Sequence, residues 1–393
     1  MIVLQWLLVL AGLYLSAYVA YWGVLLGVHA FLRPAPAVPG DGTTRFAIVV
    51  PAHDEELLLP RLLESIDGQS YPRDRFDSYV IADNCADGTA AQARRLGSRV
   101  LERFDDARRG KGYAIQWALA RIDLSRYDAV LIVDADCFLA PEVLRWLDGS
   151  MRASEVVQCY SGIGNPEESW FTRLLDVSRT LNNDIYSRSK QRLGLSCQLI
   201  GTGMCFRTSI LREFGWDAFT VGEDYEYFAK LIQSGRRVGF QWHAKVYHQE
   251  SSSLRQATTQ RMRWSSGRLA TLKTYGVPLL TGGVRARNPD MLDAGIALLL
   301  PNPSLGMNLT LAGLLAAWLL ERGHPGTLSA WFLVLVAAQF CIFLAGVMRT
   351  RNRFRKFLSI FVAPAFLAWK LGIDALTMLG FGGKKWIRTE RKP

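Results

Sequence analysis

The sequence predicts an α/β domain with a mostly parallel sheet and helices on both faces, joined to hydrophobic helices at either end of the chain. Three observations predict it. Val- and Ile-rich runs recur through the middle and stop abruptly at acidic residues, helical patterns lie between those runs, and residues 1 to 32 contain no Asp, Glu, Lys or Arg. Continuous apolar runs separated by helices mark parallel strands buried on both faces. A bilayer core about 30 Å thick takes roughly 20 apolar residues as helix, so residues 1 to 32 suffice to span it. The chain of 393 residues is too long for one average domain.

The elements follow in order. The first apolar run begins at Ile2 with no basic stretch ahead of it, which predicts a retained transmembrane anchor over residues 1 to 32 rather than a cleaved signal peptide. The Pro-rich segment 33 to 44 reads as a linker. From 45 to 290 the runs "FAIVV", "YVIA" and "AVLIV" read as strands, with helices over "LLLPRLLESIDGQ" and "GYAIQWALARI". Residues 291 to 381 form a C-terminal membrane region, with spans near 292 to 320 and 328 to 348. Pro364, Lys370 and Asp374 interrupt the third apolar stretch, near 357 to 379, and charges are costly at mid-bilayer, so an interfacial or re-entrant helix is expected. Arg349 to Lys356 and the basic tail 382 to 393 both belong on the cytoplasmic side under the positive-inside rule. The central domain then also faces the cytoplasm, in a bacterial-type inner or plasma membrane.

Charge and cysteines exclude other classes. With 46 Lys and Arg against 35 Asp and Glu the net charge is +11, and these cations concentrate beside apolar segments. Anionic lipid headgroups account for them without a nucleic-acid partner. The six cysteines form no CxxC pair and no zinc spacing, and a cytosolic face disfavours disulfides.

In open parallel sheets ligands bind beyond the carboxyl ends of the strands. Glu55, Asp83, Asp134 and Asp136 all lie within a few residues of a strand end. "DAD" at 134 to 136 has two readings: carboxylates for a divalent Mg or Mn shared with a diphosphate, or a capping Asp before "PEVLRWL". "RRGKG" at 108 to 112 suits phosphate oxygens through backbone N–H groups and Lys111, and equally a solvated charge run. "GEDYE" at 222 to 226 places Glu223 and Asp224 at a helix start, favoured there by the dipole or serving as a general base. "GTGMCF" at 201 to 206 carries two glycines suited to a tight turn. "QRMRW" at 260 to 264 reads as a leaving-group and stacking motif or as a basic interfacial helix anchored by Trp264. "NPEESW" precedes a helix that lies on a membrane surface or packs in the ordinary way, and His243 and His248 read as structural.

In this order "PAHDEE", "ADNCADGT", "GKG", "DAD", "GTGMCF", "GED" and "QRMRW" resemble the membrane-embedded family 2 of inverting glycosyltransferases, the group of cellulose, hyaluronan and chitin-oligosaccharide synthases. The resemblance covers residues 46 to about 270. It implies a GT-A-type domain that transfers a hexose or N-acetylhexosamine from a nucleotide sugar, UDP-linked, to a hydroxyl of a saccharide acceptor, leaving a β-glycosidic bond. By resemblance Glu55, Asp83 and Lys111 contact the nucleotide sugar together with Asp134, and Asp136 binds the metal with Asp134. Asp224 is the catalytic base beside Glu223; Gln260 and Arg263 meet the donor diphosphate; and Trp264 receives the acceptor over a floor of Gly201, Thr202 and Gly203. Two positions depart from the pattern: Gly222 stands where Thr is common and Asp54 where Asn is common. With about three spanning segments, a complete polymer channel calls for a partner subunit. A lipid acceptor glycosylated once is the alternative; a nucleotidyltransferase and a non-catalytic membrane scaffold are more distant ones.

Overall fold

The computed structural model describes residues 1 to 34 and 36 to 381, so the basic tail 382 to 393 lies outside the described residues. Strands β1 (Phe46–Ala52), β2 (Phe76–Asp83), β3 (Arg99–Arg103), β4 (Ala129–Ile132), β5 (Cys137–Leu139), β6 (Val156–Ile163), β7 (Met204–Arg207) and β8 (Val238–His248) form one sheet in the order β3-β2-β1-β4-β7-β6-β8-β5. β1 to β4 pair in parallel, β7 runs against both β4 and β6, β8 is parallel to β6, and β5 opposes β8. Only β5 and β7 therefore run against the other strands, as the expected mostly parallel sheet requires.

The apolar runs have no polar alternation because both faces of the sheet are covered. Ala47, Val49, Val130 and Ile132 join one core with Ala114 and Tyr227, while Phe46, Ile48, Val50 and Leu131 join a second core with Leu62 and Leu144. Successive side chains point to opposite faces, so one strand feeds two cores. Burial of each such Val, Ile or Phe stabilises the fold by roughly 1.5–3 kcal/mol.

The linker is strapped down over its last residues. The backbone N–H of Gly42 donates to Asp148 Oδ2 at 2.8 Å, that of Thr43 at 3.3 Å, and the Thr44 hydroxyl donates to Asp148 Oδ1. Asp148 lies on the helix Val143–Met151 and is fully buried, which the linker itself makes possible.

Among the described residues four helices are long and apolar enough to cross a membrane: Ile2–Phe31, Pro303–Leu320, Thr327–Arg349 and the broken unit Arg353–Met378. The first three pack together through small residues and buried polar bridges. Trp331 Nε1 donates to Ser16 Oγ at 3.1 Å, and Gln339 Nε2 donates to Thr310 Oγ1 at 2.6 Å. The stretch 292 to 320, read from sequence as one span, is divided by Pro301 and Pro303 into the helices Pro289–Leu299 and Pro303–Leu320. A residue before proline is pushed out of the helical region, and Leu300 is extended at φ −66°, ψ 145°. Asn302 then caps the second helix, accepting from the N–H of Leu305 at 2.9 Å.

The helix Pro289–Leu299 folds back on the 33-residue helix Leu254–Ala286, which carries QRMRW. Two other segments brace that long helix. Phe171 of the helix Trp170–Thr180 packs on Phe366 and Trp369, so the stretch after "NPEESW" is a packed layer between sheet and C-terminal helices. The helix Ala363–Met378 then places Trp369 Nε1 3.0 Å from Thr258 Oγ1 and Lys370 Nζ 3.1 Å from Ser265 Oγ. Lys370 pairs with Asp374, both are nearly inaccessible, and Asp374 Oδ1 accepts from Ser265 Oγ at 3.1 Å.

Breaking a buried ion pair strands one charge and costs about 3–5 kcal/mol, whereas replacing both partners by apolar side chains is often neutral. Lys370→Met is therefore expected to destabilise the detergent-purified protein by about 3 kcal/mol, and Lys370→Met with Asp374→Leu to recover most of it. Chemical unfolding of both variants measures this; equal losses in the two would show that the pair's charge is not what matters.

Candidate active site

The carboxyl ends of β1, β2 and β4 open on a cavity of about 520 Å³. Its walls hold Glu55, Asp83, Lys111, Asp134, Asp136, Gly201, Thr202, Glu223, Asp224, Gln260, Arg263 and Trp264, so twelve of the thirteen expected site residues meet in one space. Gly203 is the exception. At φ 64° it sits behind the wall, where an added Cβ would lie 2.9 Å from Cys159 Cβ and 3.1 Å from Val246 Cγ2; its glycine serves the turn and β-sheet packing, not the acceptor floor.

Local chemistry holds each acid. β4 ends at Ile132, and the backbone N–H of Asp134 donates to Thr202 Oγ1 at 3.1 Å, fixing the acidic turn to the 201–203 loop. The N–H of Glu55 donates to Thr89 Oγ1 at 2.8 Å. Asp83 closes β2 and takes Arg103 Nη1 at 2.5 Å on Oδ1. Burial pushes the Asp83 carboxyl up while Arg103 opposes it. Asp54, at φ 54°, turns away from the cavity and accepts from the N–H groups of Ala86 at 2.7 Å and Asp87 at 3.3 Å. It thus organises the loop after β2. Asp54, Cys85 and Asp87 bring donor atoms within 4.8 Å of one another outside the cavity wall, and burial pushes the Cys85 thiol up to about 11.

The centre of the cavity is acidic. Lys111, at the start of the helix Lys111–Leu119, lies 2.6 Å from Asp134 Oδ1 and 3.2 Å from Glu223 Oε1, and donates to the Gly201 carbonyl at 2.5 Å. Burial opposes its charge, yet Asp134 and Glu223 outweigh burial and hold the ammonium above its ordinary range. The lysine expected at phosphate is here the counter-ion of the acids. Asp224 carries no direct ion pair among the described residues; burial, then Glu223, push it up to about 7 against the pull of Lys111. Burial likewise raises Asp134, opposed by Lys111 and reinforced by Asp136.

Four carboxylates against one lysine leave room for a divalent cation. Asp134 and Asp136 offer the hard oxygen donors that Mg or Mn take, so the residues present fit such an ion. Two further observations favour a ligand beside it. Among the described residues Arg263 makes no ion pair although it lines the cavity, which suits an anion, and Gln260 Oε1 is buried there without a hydrogen-bond partner. An unpaired buried polar atom costs about 1–3 kcal/mol, which a ligand offering a donor relieves.

Backbone contact brings acids and QRMRW together. An added Cβ on Gly222 would lie 2.9 Å from Gly267 Cα, and one on Gly267 would lie 2.7 Å from Gly222 Cα. The helix Glu223–Gln233 therefore starts against the long helix one turn after Trp264, and Gly222 replaces the common Thr because no side chain fits there. Arg268, the residue after Gly267, donates to the carbonyls of Ala297, Leu298 and Leu300 at 3.2, 3.0 and 2.5 Å and closes the roof.

Sequence reasoning missed several wall residues. Tyr18 and Trp22 come from the first helix, and Leu300 and Pro303 from the break between the C-terminal helices. No local pattern marks them, because only the packing of distant segments brings them to the site. His248, read as structural, reaches the wall with Nε2 3.2 Å from Glu250 Oε1. Arg261 also lines the cavity, at a position of QRMRW that the motif leaves unspecified.

Comparison with known proteins identifies the family and the fold. A family described as "Glycosyltransferase like family 2" matches residues 44–267. The β-monoglucosyldiacylglycerol synthase of Trichormus variabilis is 25% identical over 267 residues, covering 64% of this chain and 56% of its own length. An N-acetylglucosaminyltransferase of Rhizobium meliloti is 25% identical over 376 residues, covering 92% and 83%. The chain thus spans little more than half of the first of these relatives. Among solved structures, the mannosyltransferase PcManGT from Pyrobaculum calidifontis, in complex with GDP-Man and Mn2+, superposes with a TM-score of 0.57 at 19% identity, covering 95% of this chain and 99% of that one. The shared fold is of the GT-A type.

Gly267→Ala is expected to lower turnover at least tenfold with little loss of folded protein, since its methyl group must push apart the pair of backbones that set the distance from Asp224 to QRMRW. Ser266→Ala, on the same helix turn, is the control. Equal activity of both variants would remove the contact from the account.

Proposed function

The chain belongs to the glycosyltransferase-like family 2, and on that premise we propose that it moves a hexose or N-acetylhexosamine, with inversion, from a UDP-sugar to a hydroxyl of a saccharide acceptor in polysaccharide synthesis. One observation carries the reading: a single cavity holds the acids Asp134, Asp136, Glu223 and Asp224 together with Trp264 and with Arg263, which makes no ion pair among the described residues. A second reading, single transfer to a membrane lipid, has support of its own. The cavity runs on to Tyr18, Trp22, Leu300 and Pro303, which belong to or border helices apolar enough to span a bilayer, and a named relative makes a glycolipid.

The reaction follows from the residues. The acceptor oxygen attacks the anomeric carbon as the bond from that carbon to the β-phosphate oxygen breaks, and Asp224 takes the hydroxyl proton. The nucleoside diphosphate departs with increased negative charge, which Arg263 stabilises most strongly as it develops. Gln260 donates its amide N–H to the diphosphate, and reorientation of the side chain would pair its buried oxygen. Trp264 covers the weakly polar face of the acceptor sugar and removes apolar area from water. A divalent cation held by Asp136 and Asp134 would supply the charge neutralisation that a departing diphosphate needs. The mannosyltransferase with the same fold was solved with Mn2+, which supports a metal at these acids. Four apolar helices and the exposed Arg351, Arg353 and Arg355 beside them support an integral membrane protein with this domain on the cytoplasmic side, where nucleotide sugars are made.

The test is release of nucleoside diphosphate by the purified protein with Mn, over UDP-glucose, UDP-N-acetylglucosamine, UDP-galactose and GDP-mannose, with and without lipid. A ladder of products from one donor supports the polymerase reading, a single glycolipid the second reading. Release that persists undiminished in excess chelator would defeat the metal role of Asp136.

Asp224→Asn is expected to retain UDP binding and lose transfer by at least a hundredfold, the scale of a general base. Because transfer needs the ionised carboxylate, kcat/KM should fall as pH drops through about 7 rather than near the ordinary Asp value of about 4. The linkage to folding has the opposite sign. A carboxyl raised on folding adds stability that is fully present below its unfolded value and lost as pH rises through about 7, so acidification should stabilise the ligand-free protein while it silences the enzyme. A flat activity profile from about pH 5 to 8 would show that the raised carboxyl of Asp224 does not persist in the loaded enzyme.

A further inference from the structure

We infer that Glu250 is a positioning residue for the acceptor: it holds Arg261 against one face of the Trp264 indole, leaving the other face to the incoming sugar. The inference rests on the transfer reading above and assigns a task to two side chains that reading does not use.

Glu250 is 3% exposed and sits just past β8, where the chain bends into the QRMRW helix. Four elements hold it. Asn165, after β6, accepts from the Glu250 N–H at 2.9 Å and donates to its carbonyl at 2.9 Å. Its carboxylate lies 3.2 Å from His248 Nε2 on β8 and 3.7 Å from Arg179 Nη2 on the helix Trp170–Thr180. Arg261 Nη2 donates to both carboxylate oxygens, at 2.9 and 3.0 Å. Burial opposes the charge of Glu250, but Arg261, His248 and Arg179 outweigh it and hold the carboxyl below its ordinary range. An anion so fully solvated by cations is a fixed point.

That fixed point is transmitted to the indole. Arg261 and Trp264 are three residues apart, hence neighbours on one helix face. The Arg261 guanidinium lies 4.4 Å from the Trp264 ring centroid and the Arg179 guanidinium 5.8 Å. A guanidinium over an indole within about 6 Å is attracted by the ring face, and its planar shape makes it a stacking surface that lysine cannot reproduce. Without the carboxylate, Arg179 and Arg261 repel each other and only the attraction of the ring face is left to hold Arg261 in place. Gln260, four residues before Trp264, borders the same face, and Arg263 projects on the far side of Gln260; among the described residues neither pairs with Glu250, and both line the cavity.

The full chain in detergent is assayed with Mn, UDP-glucose or UDP-N-acetylglucosamine, and cellobiose, diacetylchitobiose or dioleoylglycerol as acceptor, with UDP affinity measured separately by calorimetry. Glu250→Gln is expected to raise the acceptor KM at least tenfold and leave UDP affinity within twofold. Introduced into Trp264→Phe, which keeps a ring but loses most of the stack, it should add no more than twofold. A general structural role would instead move donor and acceptor terms together, and that result, or an unchanged acceptor KM, overturns the inference. Should Glu250→Gln fail to fold, Arg261→Lys decides: it keeps the ion pair and loses the flat stack, so a raised acceptor KM supports positioning and an unchanged one overturns it. If the wild type releases no UDP with any acceptor, the transfer reading falls and takes this one with it; wild-type turnover with unchanged KM in the variants removes the positioning role alone.

Discussion

Two glycine backbones in contact set the geometry of the whole site. Gly222 and Gly267 approach so closely that a Cβ on either would strike the other's main chain. One begins the helix that bears Asp224, and the other lies one turn beyond Trp264. Their contact therefore fixes how far Asp224 stands from QRMRW, and so from the groups to which leaving-group and acceptor roles are proposed. Interiors are close-packed and transmit displacement rather than absorb it, so a methyl group here is felt at the reacting atoms. A misplacement of about 1 Å can cost a hundredfold in rate when catalysis depends on alignment. The departure from the usual Thr at position 222 is thereby explained as packing, with the chemistry of Glu223 and Asp224 untouched.

Charge is arranged around that contact with opposite signs on its two sides. Toward the strand ends lie Asp134, Asp136, Glu223 and Asp224 with Lys111 among them; toward the long helix lie Arg179, Arg261, Arg263 and Arg268, of which Arg179 and Arg261 pair with Glu250. Neither side is neutral in the protein alone. A cation on the acidic side and a diphosphate reaching across both would neutralise each, which is the charge pattern of a metal-bound nucleotide sugar. Low local dielectric makes each imbalance costly while the site is empty and each contact strong once it is filled. The raised carboxyl of Asp224 expresses that cost directly, since burial and Glu223 both favour its proton.

Much of this was legible in the chain because strand ends announce themselves. "FAIVV" followed by "PAHDEE" and "AVLIV" followed by "DAD" place Glu55, Asp134 and Asp136 at one sheet edge with no knowledge of tertiary contacts, and β1 and β4 obey. Elements whose role arises at a distance were not legible. Lys111 reads as a phosphate ligand, and only the fold shows it between Asp134 and Glu223. Gly203 belongs to the same tripeptide as two wall residues, yet its backbone points its Cα at Cys159. Glu250 has no periodic or motif signal, because its importance lies in four segments that meet only after folding. The stretch 292 to 320 has the composition of one span, and Pro301 with Pro303 decides otherwise through backbone sterics that hydropathy does not register.

The apolar helices belong to the site as well as bordering it. Lys370 and Asp374, charges that lipid would reject, are turned inward and meet Ser265, the residue after Trp264; Trp369 bonds Thr258 two turns earlier on the same helix. Arg268 reaches the carbonyls of Ala297, Leu298 and Leu300, which the proline break leaves without helical partners. These contacts tie the QRMRW helix to two apolar segments, Ala363–Met378 and Pro289–Leu299, and the first helix adds Tyr18 and Trp22 to the same cavity. A domain released from these helices would expose the walls that shape its acceptor side. Catalytic domain and membrane region therefore constitute one folded unit, and the polar residues inside the apolar segments are those that hold the motif in place.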